Sequence, residues 1–92
     1  MDDTLDDLWY LYIIRTKDAT LYTGITKDVK RRFSEHCEQG SKCAKYLRGK
    51  TPLTLEFWDG IGTHPEAMHW EAKVKKLTRS QKEHIIKSQK LH

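Results

Sequence analysis

The sequence predicts a small α/β (α+β) layer fold, with three strands flanked by helices in the order β-β-α-α-β-α-α. Three observations predict it. Short runs rich in aromatic and β-branched residues occur at 8–14, 20–23 and 53–58. Between and after them the apolar spacing widens to that of helices. The chain has 92 residues, 37% apolar and 33% charged, which leaves room for one domain with a modest core.

Each element has a local reason. Leu8-Trp9-Tyr10-Leu11-Tyr12-Ile13-Ile14 contains no Gly or Pro and is short for a helix, so it reads as a buried strand. Residues 15–19 are polar and turn-like, and Thr20-Leu21-Tyr22-Thr23 is a second strand, so the two form a hairpin. Gly24 is expected to break that strand. Thr26 can cap a helix carrying Val29 and Phe33 on one face, and Gly40 can end it. Residues 41–48 read as a short second helix with Ala44 and Leu47 inward. Gly49, Thr51 and Pro52 mark a loop before the alternating strand 53–58, and Asp59-Gly60-Ile61-Gly62 reads as another break. Thr63 and Glu66 form a capping box for a helix with Ala67, Trp70, Val74 and Leu77 as its apolar stripe. Ser80 and Glu83 read as a second box, opening a terminal helix with Ile85 and Ile86.

Several classes are excluded. No apolar run approaches the roughly 18 residues of a membrane span. The N-terminus is acidic where a secretory signal is basic, so the expected location is cytoplasmic. Cys37 and Cys43 are too few for a disulfide scaffold and their spacing fits no usual zinc site, so both read as free thiols. His64, His69, His84 and His92 read as solvent-facing, and Trp9, Trp58 and Trp70 as core residues, with stacking on bases as the alternative. The formal charge is +4, but residues 1–7 hold four Asp and no base. The chain therefore divides into an acidic tail, 1–7, and a single domain, 8–90. Beyond the tail, 17 bases face 9 acids, a net +8. Such a body attracts polyanions, nucleic acid first.

One constellation carries chemistry. Tyr12 and Tyr22 sit on the strand pair, and Arg32 and His36 lie four apart on the next helix. With Val29 at zero, Arg32 falls at about 300° and His36 at about 340°, both bordering the apolar face. Glu71 falls at about 40° from Ala67, beside the buried stripe of its helix. Two phenols, a guanidinium, an imidazole and a carboxylate suit phosphodiester cleavage. That reaction needs a base for water, positive charge for the developing phosphorane and often a divalent ion. Glu71 offers a hard oxygen ligand, and could instead merely pair with Lys75. Arg32 offers a fork for phosphate, and Arg31 beside it competes for that role. Lys42, Lys45, Arg48 and Lys50 form a basic stretch that is either a phosphate-contacting patch or a solvated face.

In order and spacing these residues resemble the GIY-YIG nuclease domain. Tyr10-Leu11-Tyr12 is followed ten residues on by Tyr22-Thr23-Gly24, then by Arg32, His36 and a later helical Glu71. The strings Trp9-Tyr10-Leu11-Tyr12, Leu21-Tyr22-Thr23-Gly24-Ile25-Thr26, Arg31-Arg32-Phe33 and Lys75-Lys76-Leu77-Thr78 are most similar to small stand-alone bacterial members of the YhbQ or URI type. The resemblance implies a three-stranded antiparallel sheet flanked by helices, and a site holding one Mg²⁺ or Mn²⁺ on Glu71. It implies that Tyr12 or His36 helps activate water, that Tyr22 orients water or phosphate, and that Arg32 stabilises the scissile phosphate. Gly24, Arg31, Lys45, Arg48 and Lys50 are the expected substrate-binding residues. The implied activity is endonucleolytic, on DNA in preference to RNA, in DNA processing or repair. Many members place an Asn after the metal-binding Glu, and this chain contains none. The alternative reading is therefore a catalytically silent module of the same fold that binds nucleic acid.

Overall fold

A computed structural model describes residues 8–91, and the acidic tail expected at 1–7 lies outside the described residues. The elements are β1 (Trp9–Arg15), β2 (Leu21–Thr26), α1 (Val29–Glu38), a 3-10 turn (Lys45–Leu47), β3 (Thr54–Gly62), α2 (His64–Lys75) and α3 (Arg79–Ser88). The strands form one antiparallel sheet in the order β2-β1-β3, with β1 in the centre.

The central strand explains the layering. Leu11, Tyr12, Ile13 and Ile14 are all buried, which a strand achieves only when both sheet faces are covered. Leu11 and Ile13 join Phe57, Val74 and Ile85 in a core under α2 and α3. Tyr12 and Ile14 join Cys43 and Leu47, with Tyr22 and Phe33 against them, in a second core under α1 and the 3-10 turn. Each fully covered Leu or Ile side chain contributes about 1.5–3 kcal/mol. Side chains alternate between faces, so one strand feeds both cores.

Four local expectations give way to tertiary context. Gly24 does not break β2: it pairs with Tyr12, and the ladder runs on to Thr26 opposite Tyr10. Asp59, Gly60 and Gly62 likewise stay in β3, because Leu11, Tyr10 and Trp9 supply their partners. Thr26 is therefore a strand residue, and Asp28 caps α1 by accepting from the Arg31 amide. The helix expected at 41–48 shrinks to a single 3-10 turn. Ala44 is extended there, and its amide is engaged by a ring nitrogen of His36 rather than by a helical carbonyl.

Thr63 and Glu66 cap α2 as expected. For α3, Thr78 and Gln81 make the capping box in place of Ser80 and Glu83, because Thr78 is the last residue with extended backbone. That leaves Glu83 to accept both Arg15 terminal nitrogens at 2.8 Å, while Arg15 Nε donates to Glu56 at 2.6 Å. The Arg15 hydrogen bonds hold the Glu83 carboxyl down at about 2. This bidentate pair ties α3 to the sheet. Among the described residues, no helix is long and apolar enough to cross a membrane.

Candidate active site

The centre of the site is a buried phenol. Tyr12 is 2% exposed, and its hydroxyl lies 2.9 Å from Nε2 of His36, which is itself fully buried. The other ring nitrogen, Nδ1, faces the backbone amide of Ala44 at 3.3 Å. An amide can only donate, so Nδ1 is the acceptor and the imidazole proton resides on Nε2. His36 therefore donates to Tyr12, and the phenol keeps its own proton for another partner. Burial, reinforced by the positive charge of Arg32, pushes His36 down to about 4, so the ring is neutral at physiological pH.

Gly24 makes room for this phenol. It lies directly opposite Tyr12 on β2. A Cβ at position 24 would run into the Tyr12 hydroxyl and come within 2.5 Å of Cζ. Glycine is required by the close approach of a ring, not by a turn.

The expected partners gather around Tyr12 at different depths. Tyr22 is half-buried, its ring centroid 6.4 Å from that of Tyr12 and 5.8 Å from that of His36. Arg32 donates to Glu35 at 3.0 Å and to the Lys42 carbonyl at 2.7 Å, with its side chain 30% exposed. The Arg32 hydrogen bond in turn holds Glu35 below the usual carboxylate range. Glu71 is half-buried and pairs with Lys75 at 3.3 Å. Burial drives Tyr12 upward, with the charges of Tyr22 and Glu71 acting the same way and the Arg32 guanidinium opposing them. Arg32 and Glu71 both stand close enough for their charge to act on the Tyr12 hydroxyl.

The outer residues are less concentrated. Arg31 is exposed, with Glu35 at 3.9 Å. Arg48 donates to the Gly40 carbonyl, and Lys45 is exposed. Lys50 lies over the ring of Tyr46, 3.6 Å from its centroid. Tyr46 stacks on Tyr22 at 5.8 Å with planes 21° apart, so it links the basic stretch to the phenol pair. Sequence reading missed Tyr46; an aromatic flanked by Lys45 and Arg48 was the available signal. Gln39 was also missed. Its side chain donates to the carbonyls of His36 and Leu47 and accepts from the Gly49 amide, holding this segment against α1.

Elsewhere the expectations divide. Cys37 and Cys43 are free thiols, as expected. Trp58 is 54% exposed and not a core residue. His64 is exposed, though its ring lies 4.3 Å from that of Trp9; His92 lies outside the described residues. No group of three or more His, Cys, Asp or Glu that could hold a metal occurs among the described residues. Glu71 offers one hard carboxylate oxygen that could hold a divalent metal.

The fold is a three-stranded antiparallel α+β layer with Tyr12 of β1 and His36 of α1 buried against each other. The chain belongs to the GIY-YIG catalytic domain family, whose model matches residues 8–84. That family is generally endonucleolytic, binds nucleic acid and typically uses divalent metals. The chain is 52% identical over 79 residues to a UPF0213 protein of Sodalis glossinidius, covering 86% of this chain and 72% of that one. It is 53% identical over 78 residues to the UPF0213 protein YhbQ of Escherichia coli O8, covering 85% and 76%. The solution structure of the UPF0213 protein BH0048 from Bacillus halodurans is 41% identical, covers 87% of this chain and 83% of that one, and superposes with a TM-score of 0.55.

Proposed function

We propose that this chain is a cytoplasmic nuclease that cleaves phosphodiester bonds in nucleic acid, DNA in preference to RNA, with one Mg²⁺ or Mn²⁺, in DNA processing or repair. The observation that carries this reading is the directed chain of hydrogen bonds from the Ala44 amide through His36 to Tyr12. It presets a phenol oxygen as an acceptor, with its own proton left to give.

The roles follow from depth and charge. Tyr12, at the floor of the site, handles the proton of the attacking water. His36 is a positioning residue: both ring nitrogens are engaged and its exposure is nil, so it acts through Tyr12 and touches no substrate. Its Nε2–H stabilises negative charge on the Tyr12 oxygen, as does the Arg32 guanidinium. Tyr22 orients the water or phosphate. Arg32, partly exposed, faces the scissile phosphate, which competes with Glu35 for its N–H groups. Gly24 admits the phenol, while Arg31, Lys45, Arg48 and Lys50 hold the strand. When bound on Glu71, a divalent ion supplies positive charge to the phosphate.

Labelled single- and double-stranded DNA, incubated with Mg²⁺ or Mn²⁺, tests the reading. Cleavage is expected from the wild type and not from Arg32→Ala or Glu71→Ala. Cleavage that survives both substitutions refutes it. One observation favours the silent binding module instead: the charges of Arg32 and Glu71 are already engaged by Glu35 and Lys75. That reading expects salt-sensitive binding in EDTA and no cleavage with any metal.

A further inference from the structure

The sheet row that holds Tyr12 does not end there. Gly24, Tyr12 and Trp58 pair directly across β2, β1 and β3, so their side-chain positions share one face. The Gly24 side carries the site described above. The other side carries a tryptophan that this site does not use, 54% exposed.

Trp58 borders a groove of about 500 Å³ between α1 and β3, lined by Val29, Lys30, Phe33, Ser34, Leu55 and Trp58 itself. A β-bulge builds it. Ile13 pairs with Phe57, yet Ile14 pairs with Leu55, which leaves Glu56 as an extra residue in β3. Leu55 and Trp58 are three apart and would face opposite ways in a regular strand. The bulge turns them to the same face, where both meet Phe33 across the groove.

The lining indicates the occupant. Val29, Phe33, Leu55 and Trp58 offer apolar and aromatic surface, Lys30 adds one cation, and no acidic residue lines the groove. An apolar ring with an attached anion satisfies both features. Neighbouring strands are about 4.8 Å apart, so the groove opens one strand away from Tyr12. A base seated there belongs to a nucleotide adjoining the bond at the site.

We propose that this groove is a subsite for an unpaired nucleobase of the substrate strand, its ring stacked on Trp58 and its phosphate on Lys30. The subsite rests on the nuclease reading for its purpose, because it seats a base next to the scissile phosphate. A base inside a duplex has both faces covered, so the groove selects nucleic acid with a single-stranded segment at the cleavage point.

Binding is measured in EDTA at fixed low salt with three labelled probes: an oligothymidine strand, a strand of abasic spacers of equal length, and a blunt duplex. Trp58→Ala should weaken oligothymidine binding about tenfold, the loss of one base–aromatic stack. It should leave duplex and abasic-strand binding at the wild-type level. Trp58→Phe should restore most of the loss. Lys30→Ala should lower the salt slope on oligothymidine by about 0.7, one phosphate contact on a single strand. Unchanged oligothymidine binding in Trp58→Ala, or equal weakening on all three probes, overturns the subsite. EDTA suppresses metal-dependent cleavage, so this outcome is separate from that of the Arg32→Ala and Glu71→Ala assay, which judges the nuclease reading.

Discussion

The buried imidazole makes the domain sensitive to acid in a way that can be isolated. An unfolded His36 titrates near its ordinary 6.5, whereas the folded residue is held down to about 4, mainly by burial and secondarily by Arg32. Above pH 6.5 both states carry a neutral ring and the folded state loses nothing. As pH falls below 6.5 the unfolded chain binds a proton that the folded chain refuses, so stability declines until about pH 4. The two values imply a loss of about 2 kcal/mol at pH 5 and about 3 kcal/mol at pH 4. Against a typical total of about 5–15 kcal/mol that is a large share. His36→Gln is the matching control: an amide can accept from Ala44 or donate to Tyr12, and it does not titrate. Urea unfolding of both proteins at pH 7.5 and pH 5 checks the prediction. The wild type should lose about 2 kcal/mol more than the variant over that interval. Parallel losses in the two proteins would refute a neutral, buried His36.

Gly24→Ala should destabilise by about 2–4 kcal/mol, since overpacking against Tyr12 adds to a disturbed hydrogen bond to His36; a lower urea midpoint measures it. Thr23→Val should stabilise by about 1 kcal/mol, because the Thr23 hydroxyl is buried without a hydrogen-bond partner and the methyl fits the same space. Its unfolding midpoint should rise with unchanged slope. Tyr46→Leu should weaken DNA binding in EDTA about threefold to tenfold by releasing Lys50 and the Tyr22 stack, and Tyr46→Phe should retain it.

The sheet and the helix order are legible in the chain because they depend on short-range regularities. Aromatic and β-branched runs mark the strands, and the Thr63–Glu66 pair marks the start of α2. The ten-residue intervals from Tyr12 to Tyr22 and on to Arg32 are visible without coordinates. Breaks are harder to read. Gly24 and Gly60 look like terminators when only neighbours are considered, yet each has a partner on β1 that continues the ladder. Residues 41–48 carry helical spacing, but Ala44 gives its amide to His36, a contact between residues eight apart.

The sequence alone determined that this is a small basic α+β domain carrying Tyr12, Tyr22, Arg32, His36 and Glu71 in a recognisable order, since composition and spacing are properties of the chain itself. Tertiary structure decided how they are held. The Ala44 amide sets the tautomer of His36, the missing Cβ of Gly24 admits the Tyr12 ring, and a bulge at Glu56 brings Leu55 to the same face as Trp58. All three depend on contacts between segments, where sheet register and burial, not local propensity, select the arrangement.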